Sequence, residues 1–386
     1  MLDLARELSR WCAEEREFAV ATVTGVSGSA PRGPGASMAV DADGEVLGSV
    51  SGGCVEAAVH ALCQEATADG RPRRESFGYS EDDALAVGLS CGGTLEVLVQ
   101  PVPRDSSLRD LLARAAEPGP GWALVRPLDG GPGALLVGED GHHRGDLGQG
   151  PEEERLAVAE ARARLAMGRT EVFRPLVGEA PTRDDGTEDD RARGERCAPG
   201  RALLVECRQA PPRMLVFGAI DFAAALTRAG AFLGYRVTVC DARPVFATPE
   251  RFPEAEEVVV EWPHRYLERT PVDGRTVICV LTHDAKFDLP LLERALRLPV
   301  GYVGAMGSRR THQERARRLR AAGVTEAELA RLRSPIGLDL GARTPEETAL
   351  SIAAQIVADR YGGSGLPLTG GGLPIHHASR RLDPVA

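Results

Sequence analysis

The sequence predicts an α/β protein, an N-terminal α+β domain followed by a Rossmann-like domain built on a doubly wound parallel sheet. Three observations lead there. The C-terminal half alternates short apolar runs with amphipathic helical stretches, the pattern of a parallel sheet covered on both faces. The N-terminal half carries hairpin signals between its strands, such as Asp43–Gly44 in "SMAVDADGEVLGSV", and these belong to antiparallel pairing. A stiff hinge, "APPR" at 210–213, separates the two halves.

In chain order, "EFAVATVTGV" reads as a strand, and the Asp43–Gly44 hairpin follows it. Val55, Ala58, Val59 and Leu62 recur at i, i+3, i+4 and i+7, an apolar helix stripe. "TLEVLVQPV" is a strand. A second helix, a hairpin around "DGGPG" and a helix from about Glu152 to Met167 complete a domain over 1–180. The mixed-charge run "APTRDDGTEDDRARGER" breaks the pattern and reads as an insertion. With the strand "ALLVECRQ" and the hinge it occupies 181–210. The Rossmann-like domain spans 211–362, with strands at "MLVFGA", "YRVTVCDAR", "EVVVE", "TVICVLTHD" and "VGYVGAMG". Phe222, Ala225, Leu226 and Ala229 form the inward stripe of its first helix, and a helix from Pro345 to about Ala358 closes it. The tail at 363–386 is rich in Gly and Pro.

Composition narrows the function. The 386 residues can bury two or three cores. A net charge of −10 and an aromatic content of 4% argue against nucleic acid or an anionic membrane as the main partner. No apolar run approaches the ~18–20 residues of a spanning helix, and the charged start "MLDLARELSRWCAEER" lacks a signal-peptide core. A cytoplasmic location is expected. The eight cysteines include no CxxC pair, which argues against a disulfide framework or a zinc ribbon.

Four constellations could carry chemistry. In "GAIDFA" a turn between strand and helix starts at Gly218, and Asp241 stands 23 residues on at the next strand end, the layout of a dinucleotide fingerprint. Ile220 replaces the second glycine, and Asp221 would cap the helix itself and repel a phosphate. If NAD(P) binds, Asp241 suits a ribose and Arg243 a 2′-phosphate. In "LTHDAKFD", His283 and Asp284 follow a strand's carboxyl end, either as ligand-binding groups or as caps of a helix beginning near Asp288. In "GAMGSRRTHQER", Gly307, Ser308 and Arg309 make an anion site on physical grounds, or a basic surface helix. In the first domain, Arg32 and Gly33 lie in a glycine loop that can wrap an anion. "SGGC" and "SCGG" add Gly52, Gly53 and Cys54, then Cys91, Gly92 and Gly93. Cys54, at the start of a helix, would have its thiol activated by the helix N-terminus. On the opposing account the glycines permit close backbone packing and the cysteines are small hydrophobes.

Together these segments resemble the XdhC/CoxI family, maturation factors of xanthine dehydrogenase and related molybdenum hydroxylases. "GSAPRGPGASM", "GSVSGGCVEAAV" and "GLSCGGTLEVLVQP" carry the likeness in the first domain. "PPRMLVFGA", "THDAKFD", "GYVGAMGSRR" and "SPIGLDLGARTPEETALSIAAQIVA" carry it in the second. The resemblance implies a chaperone that binds molybdenum cofactor (molybdopterin), supports its sulfuration and delivers it to an apo xanthine dehydrogenase-type enzyme. A sulfur donor protein would be a partner, and the chaperone a homodimer. It singles out Cys54 and Cys91 as the reactive cysteines, Cys91 standing at the metal end. Relatives often read Gly-Ala-Gly-His where this chain has Gly218-Ala219-Ile220-Asp221. The rival reading is an NAD(P)-dependent oxidoreductase that uses the second domain.

Overall fold

A computed structural model describes residues 1–28, 30–78, 93–117, 119, 121–148, 150–178 and 197–369. The chain divides into two compact units, Met1–Ala210 and Pro211–Ala386.

The first unit holds two five-stranded antiparallel sheets. Strands β1 (Phe18–Ser27), β2 (Ser37–Asp41), β3 (Val46–Gly48), β4 (Arg73–Phe77) and β5 (Thr94–Val102) form one, in the order β3-β2-β1-β5-β4. The second contains β6 (Trp122–Pro127), β7 (Ala134–Gly138), β8 (His143–Asp146) and β9 (Glu171–Phe173). A small pair, β10 (Leu176–Gly178) and β11 (Cys197–Pro199), precedes its last strand, β12 (Leu203–Arg208), which inserts between β6 and β9. The order is β8-β7-β6-β12-β9. Among the described residues, the α-helices of this unit are α1 (Ala5–Ala13), α2 (Glu56–Asp69), α3 (Leu108–Ala116) and α4 (Pro151–Met167).

Side-chain alternation explains the layering. Phe18 and Val20 of β1 share a core with Trp122 and Leu124 of β6 and with Trp11, Leu111 and Leu112 of α1 and α3. Ala19, Ala21 and Val23 point the other way, onto Val59 and Cys63 of α2. Ala123 and Val125 likewise meet Ala157 and Ala161 of α4. Both faces of β1 are therefore buried, and its sequence is apolar nearly throughout. A polar network interrupts this interior. Arg126, fully buried, donates to Gln100 Oε1 at 2.6 Å, to Thr22 Oγ1 at 3.2 Å and to Glu206. The Met1 amine donates to the other Glu206 oxygen at 2.6 Å. A buried arginine is tolerable only with such pairing.

The second unit is a six-stranded, all-parallel sheet. It comprises β13 (Arg213–Phe217), β14 (Arg236–Asp241), β15 (Glu257–Val260), β16 (Val277–Val280), β17 (Tyr302–Ala305) and β18 (Leu332–Arg333). Its helices are α5 (Asp221–Phe232), α6 (Pro263–Arg269), α7 (Ala285–Ala295), α8 (Arg309–Ala321), α9 (Glu326–Leu329) and α10 (Pro345–Tyr361). The order β15-β14-β13-β16-β17-β18 is the 3-2-1-4-5-6 arrangement of a dinucleotide-binding fold. Met214 and Val216 face α5 and α10, whereas Leu215 and Phe217 face α6 and α7. The two-residue β18 has no counterpart in the sequence reading, because two residues carry no periodicity. No helix among the described residues is long and apolar enough to cross a membrane.

Candidate functional site

The N-terminal motif residues gather at one end of the first sheet. β1 ends at Ser27, opposite the first residue of β5, Thr94. β3 ends at Gly48, opposite Met38 near the start of β2. The loop with Arg32 and Gly33, the loop with Gly52, Gly53 and Cys54, and Gly93 all issue from these strand ends. Cys91 and Gly92 lie outside the described residues, as does the question of whether Cys91 approaches Cys54. Arg32 is half-buried and, among the described residues, makes no ion pair or side-chain hydrogen bond; Gly33 is exposed.

The Gly-Gly-Cys loop departs from both sequence-based accounts in its helix start and its glycines, while Cys54 packs partly buried against the core beneath α2, as the second account expected. Helix α2 starts at Glu56 with Val55 as its N-cap, so Cys54 precedes the helix, and its N–H donates to Ser51 Oγ at 3.1 Å. The amides of the loop before the helix are not left open to a ligand. Instead the Glu56 carboxylate folds back into the loop. Its Oε1 accepts from Ser49 Oγ at 2.7 Å and from the Ser51 and Gly52 amides at 2.8 Å each. Its Oε2 accepts from Ser51 Oγ at 2.6 Å and the Gly53 amide at 2.7 Å. Burial alone would raise its pKa, but the serine and backbone donors outweigh that and hold the carboxyl well below the usual glutamate range. The amides of Gly52 and Gly53, expected to hold an incoming anion, are already occupied by this one. Nor do these glycines relieve crowding. A Cβ on either would meet nothing within 4 Å, and what requires glycine is φ of +87° and +127°.

Burial does not set Cys54 apart among the described cysteines, since Cys12 and Cys207 are half-buried as well. Burial pushes the thiols of Cys63, Cys207 and Cys240 up to about 12 and raises those of Cys12 and Cys279. Such thiols are poor nucleophiles. Cys54 is half-buried beside the exposed Gly52 and Gly53.

In the second unit, Asp241 ends β14, and Gly218, Arg243, His283, Asp284, Gly307, Ser308 and Arg309 follow the carboxyl ends of neighbouring strands. The topology places them along one crevice edge, where β13 and β16 mark the reversal of strand order. Local geometry then sorts them. Asp241, 2% exposed, accepts from the Ala219 amide at 2.8 Å and from the Arg243 amide, Nε and terminal nitrogen at 2.8–2.9 Å. Those four donors fill a carboxylate's acceptor sites. The expected ribose contact would have to displace Arg243, whose guanidinium is turned onto Asp241 and over the Phe246 ring at 4.6 Å.

Gly218 is glycine for two reasons. Its φ is +109°, and a Cβ would stand 2.8 Å from Thr282 Cγ2 and 2.9 Å from the Thr282 nitrogen. Asp221 does not cap α5 as expected; it is exposed and pairs with Arg251 at 3.2 Å. A pocket of about 180 Å³ remains here, lined by Ala219, Ile220, Asp221, Arg243, Phe246 and Arg251. A larger open groove, about 690 Å³, runs between β8 and α4, but none of the described motif residues lines it.

Helix α7 starts at Ala285, three residues before the expected point. Asp284 is its cap, accepting from the Lys286 amide at 3.1 Å and pairing with Lys286 Nζ at 3.0 Å, while His283 is exposed. Asp288 belongs to a different structure. It is buried, accepts from Thr282 Oγ1, and pairs at 3.0 Å with Arg315, itself buried. Arg315 also donates to the Met306 carbonyl at 2.9 Å and to Ser334 Oγ at 3.0 Å. This ion pair ties together the loops after β16, β17 and β18. Ser308 caps α8, accepting from the Thr311 amide at 3.1 Å, and Arg309 is exposed on the first turn.

The sequence reading missed Glu56, Arg251 and the Asp288–Arg315 pair. An acidic residue in the first helical turn after a Ser–Gly loop was the available signal for Glu56. No local signal links residues 288 and 315.

Residues 11–78 match the XdhC and CoxI family, and residues 214–356 match the XdhC Rossmann domain. The chain belongs to the XdhC/CoxI family. Among XdhC/CoxI relatives, it is 26% identical over 357 residues to a probable xanthine dehydrogenase subunit of Bacillus subtilis (strain 168), covering 90% of this chain and 94% of that one. It is 25% identical over 342 residues to the molybdenum cofactor insertion chaperone PaoD of Escherichia coli (strain K12), covering 88% and 82%. A crystal structure described as a xanthine dehydrogenase from Bacillus halodurans superposes with a TM-score of 0.66 at 25% identity, over 92% of this chain and 95% of that one.

Proposed function

We propose that this XdhC/CoxI protein is an accessory chaperone that binds molybdenum cofactor, supports its sulfuration and delivers it to a xanthine dehydrogenase-type molybdenum hydroxylase. The observation that carries the reading is the convergence of the Arg32 loop, the Cys54 loop and Gly93 on one sheet end, in a chain similar to a molybdenum cofactor insertion chaperone. The chemistry of that end fits the group. Molybdopterin bears a phosphate, and Arg32 is a cation that, among the described residues, is not committed to another side chain. Its metal–dithiolene centre is soft, and Cys54 presents a thiol nearby while Cys91 adjoins Gly93 through Gly92. Phosphate recognition falls to Arg32, because the Gly52 and Gly53 amides are taken by Glu56. When bound, the cofactor supplies an oxo ligand exchangeable for sulfur. The chain's residues hold and orient it, with a sulfur donor protein and the apo-enzyme as partners and the chaperone itself a homodimer.

The test is pterin and molybdenum content of protein purified from a molybdopterin-producing host. Wild type retains pterin, and Cys91→Ala and Arg32→Ala each lower retention. Unchanged retention in both Cys54→Ala and Cys91→Ala would remove the thiols from the reading.

The Rossmann-type order and the pocket beside Arg243 favour a second reading, an NAD(P)-dependent oxidoreductase. The filled acceptor sites of Asp241 weigh against it. Saturable NAD(P)H binding weakened by Arg243→Ala would support it, and no binding up to millimolar concentrations would leave this unit structural.

A further inference from the structure

The loop from Ser49 to Val55 contains no helix or strand, yet it carries Cys54 and both exposed glycines. Packing holds its ends, because Val50 and Val55 are buried in the core beneath α2 and Cys54 packs against that core, but it does not hold the middle, where Gly52 and Gly53 face open space. Its backbone anchor to the sheet is the Ser49 amide on the Ser37 carbonyl at 3.0 Å. Beyond that point five donors converge at 2.6–2.8 Å on a single side chain, Glu56. Three are backbone amides spanning Ser51 to Gly53, the residues leading directly into Cys54.

We propose that Glu56 is a positioning residue: its carboxylate is a resident anion around which the Gly52–Gly53–Cys54 loop is wrapped, and it sets where the Cys54 thiol stands. With the Val55 amide at 3.2 Å as the sixth, the charge-assisted hydrogen bonds to this one carboxylate exceed what an isolated surface ion pair supplies. They also saturate its oxygens, so an external oxyanion gains access to these amides only when the carboxylate is absent. The loop is thus an oxyanion receptor whose occupant is part of the chain. This holds whichever ligand the neighbouring Arg32 recruits.

Removing the carboxylate and supplying another tests the idea. In full-length Glu56→Ala the donors surround an empty position that opens to solvent through the exposed glycines, and acetate is the probe. Cys54 labelling by iodoacetamide, read by peptide mass mapping at fixed pH, should be about tenfold faster than in wild type, the effect of losing about one charge-assisted hydrogen bond's worth of loop order. Acetate, compared with chloride at equal ionic strength, should return the rate towards wild type and leave wild type itself unaffected. A fold-only role for Glu56 would not produce acetate rescue. Wild-type labelling in Glu56→Ala, or acetate acting no differently from chloride, would overturn the proposal. If Glu56→Ala does not fold, Glu56→Gln keeps one acceptor oxygen in place and should show a smaller acceleration. Labelling of that variant indistinguishable from wild type would equally overturn it. The readout uses the protein without cofactor, so its failure is separable from failure of the pterin-retention assay.

Discussion

Two glycine turns, one in each unit, lead from a strand towards a helix, and an in-chain carboxylate reaches into the backbone amides of both. In the first, Glu56 lies just after the loop and folds back onto it. In the second, Asp241 comes from the neighbouring strand and accepts from Ala219. The glycines differ more than the carboxylates do. Gly52 and Gly53 need only an unusual backbone, with open space around them, whereas Gly218 needs the backbone and is also pressed against Thr282. The first loop is organised by charge at the surface. The second is built into the interior of a sheet, and the Asp288–Arg315 pair fixes the loops beside it. Resemblance to an anion-binding turn therefore does not show that an anion site is vacant, because the chain can supply the anion.

Perturbing each level of organisation sharpens this contrast. The largest effect is expected from Arg315→Met, which strands Asp288 as a buried, unpaired carboxylate. Breaking such a pair costs about 3–5 kcal/mol, read by urea unfolding with hydrogen exchange on second-unit peptides. A loss under about 1 kcal/mol, the worth of an exposed pair, would mean that the crevice loops do not depend on it. Gly218→Ala should cost about 3 kcal/mol, combining left-handed strain with overpacking against Thr282. Gly52→Ala in the same assay on first-unit peptides should cost about 1 kcal/mol, from strain alone. Equal losses at the two glycines would erase the distinction between them.

The smallest effect is the pH dependence of Glu56. Its carboxyl in the folded protein lies below the ordinary value of 4.5, so the unfolded chain takes up its proton first as pH falls. The stability it contributes is complete above that value and declines below it. The difference in melting temperature between wild type and Glu56→Gln should shrink on acidification. A gap that is constant, or that widens at low pH, would contradict the depressed carboxyl.

Much of the architecture was legible because it is periodic. The strand at Phe18–Ser27, the hairpin at Asp43–Gly44 and the parallel strands from Arg213 onward follow from alternation, turn chemistry and apolar runs. Motif spelling likewise led to the XdhC/CoxI family. Motif spelling did not indicate what the motif atoms bond to. The sequence shows an aspartate at 221 in a capping position, but the structure turns it to Arg251. It shows an aspartate at 241 in a ribose-binding position, but Arg243 folds onto it.

By itself, then, the sequence determined the longer elements, their order and the family, since each rests on interactions between residues near in the chain or on patterns repeated along it. Tertiary structure decided which donors and acceptors remain available. Residues 288 and 315 meet only because parallel strands bring their loops to one edge, and Glu56 claims the Gly52 and Gly53 amides only once the loop closes over it. Hydrogen-bond capacity is finite, so a local motif specifies which groups are present, while the folded partners specify which of them are still free to act.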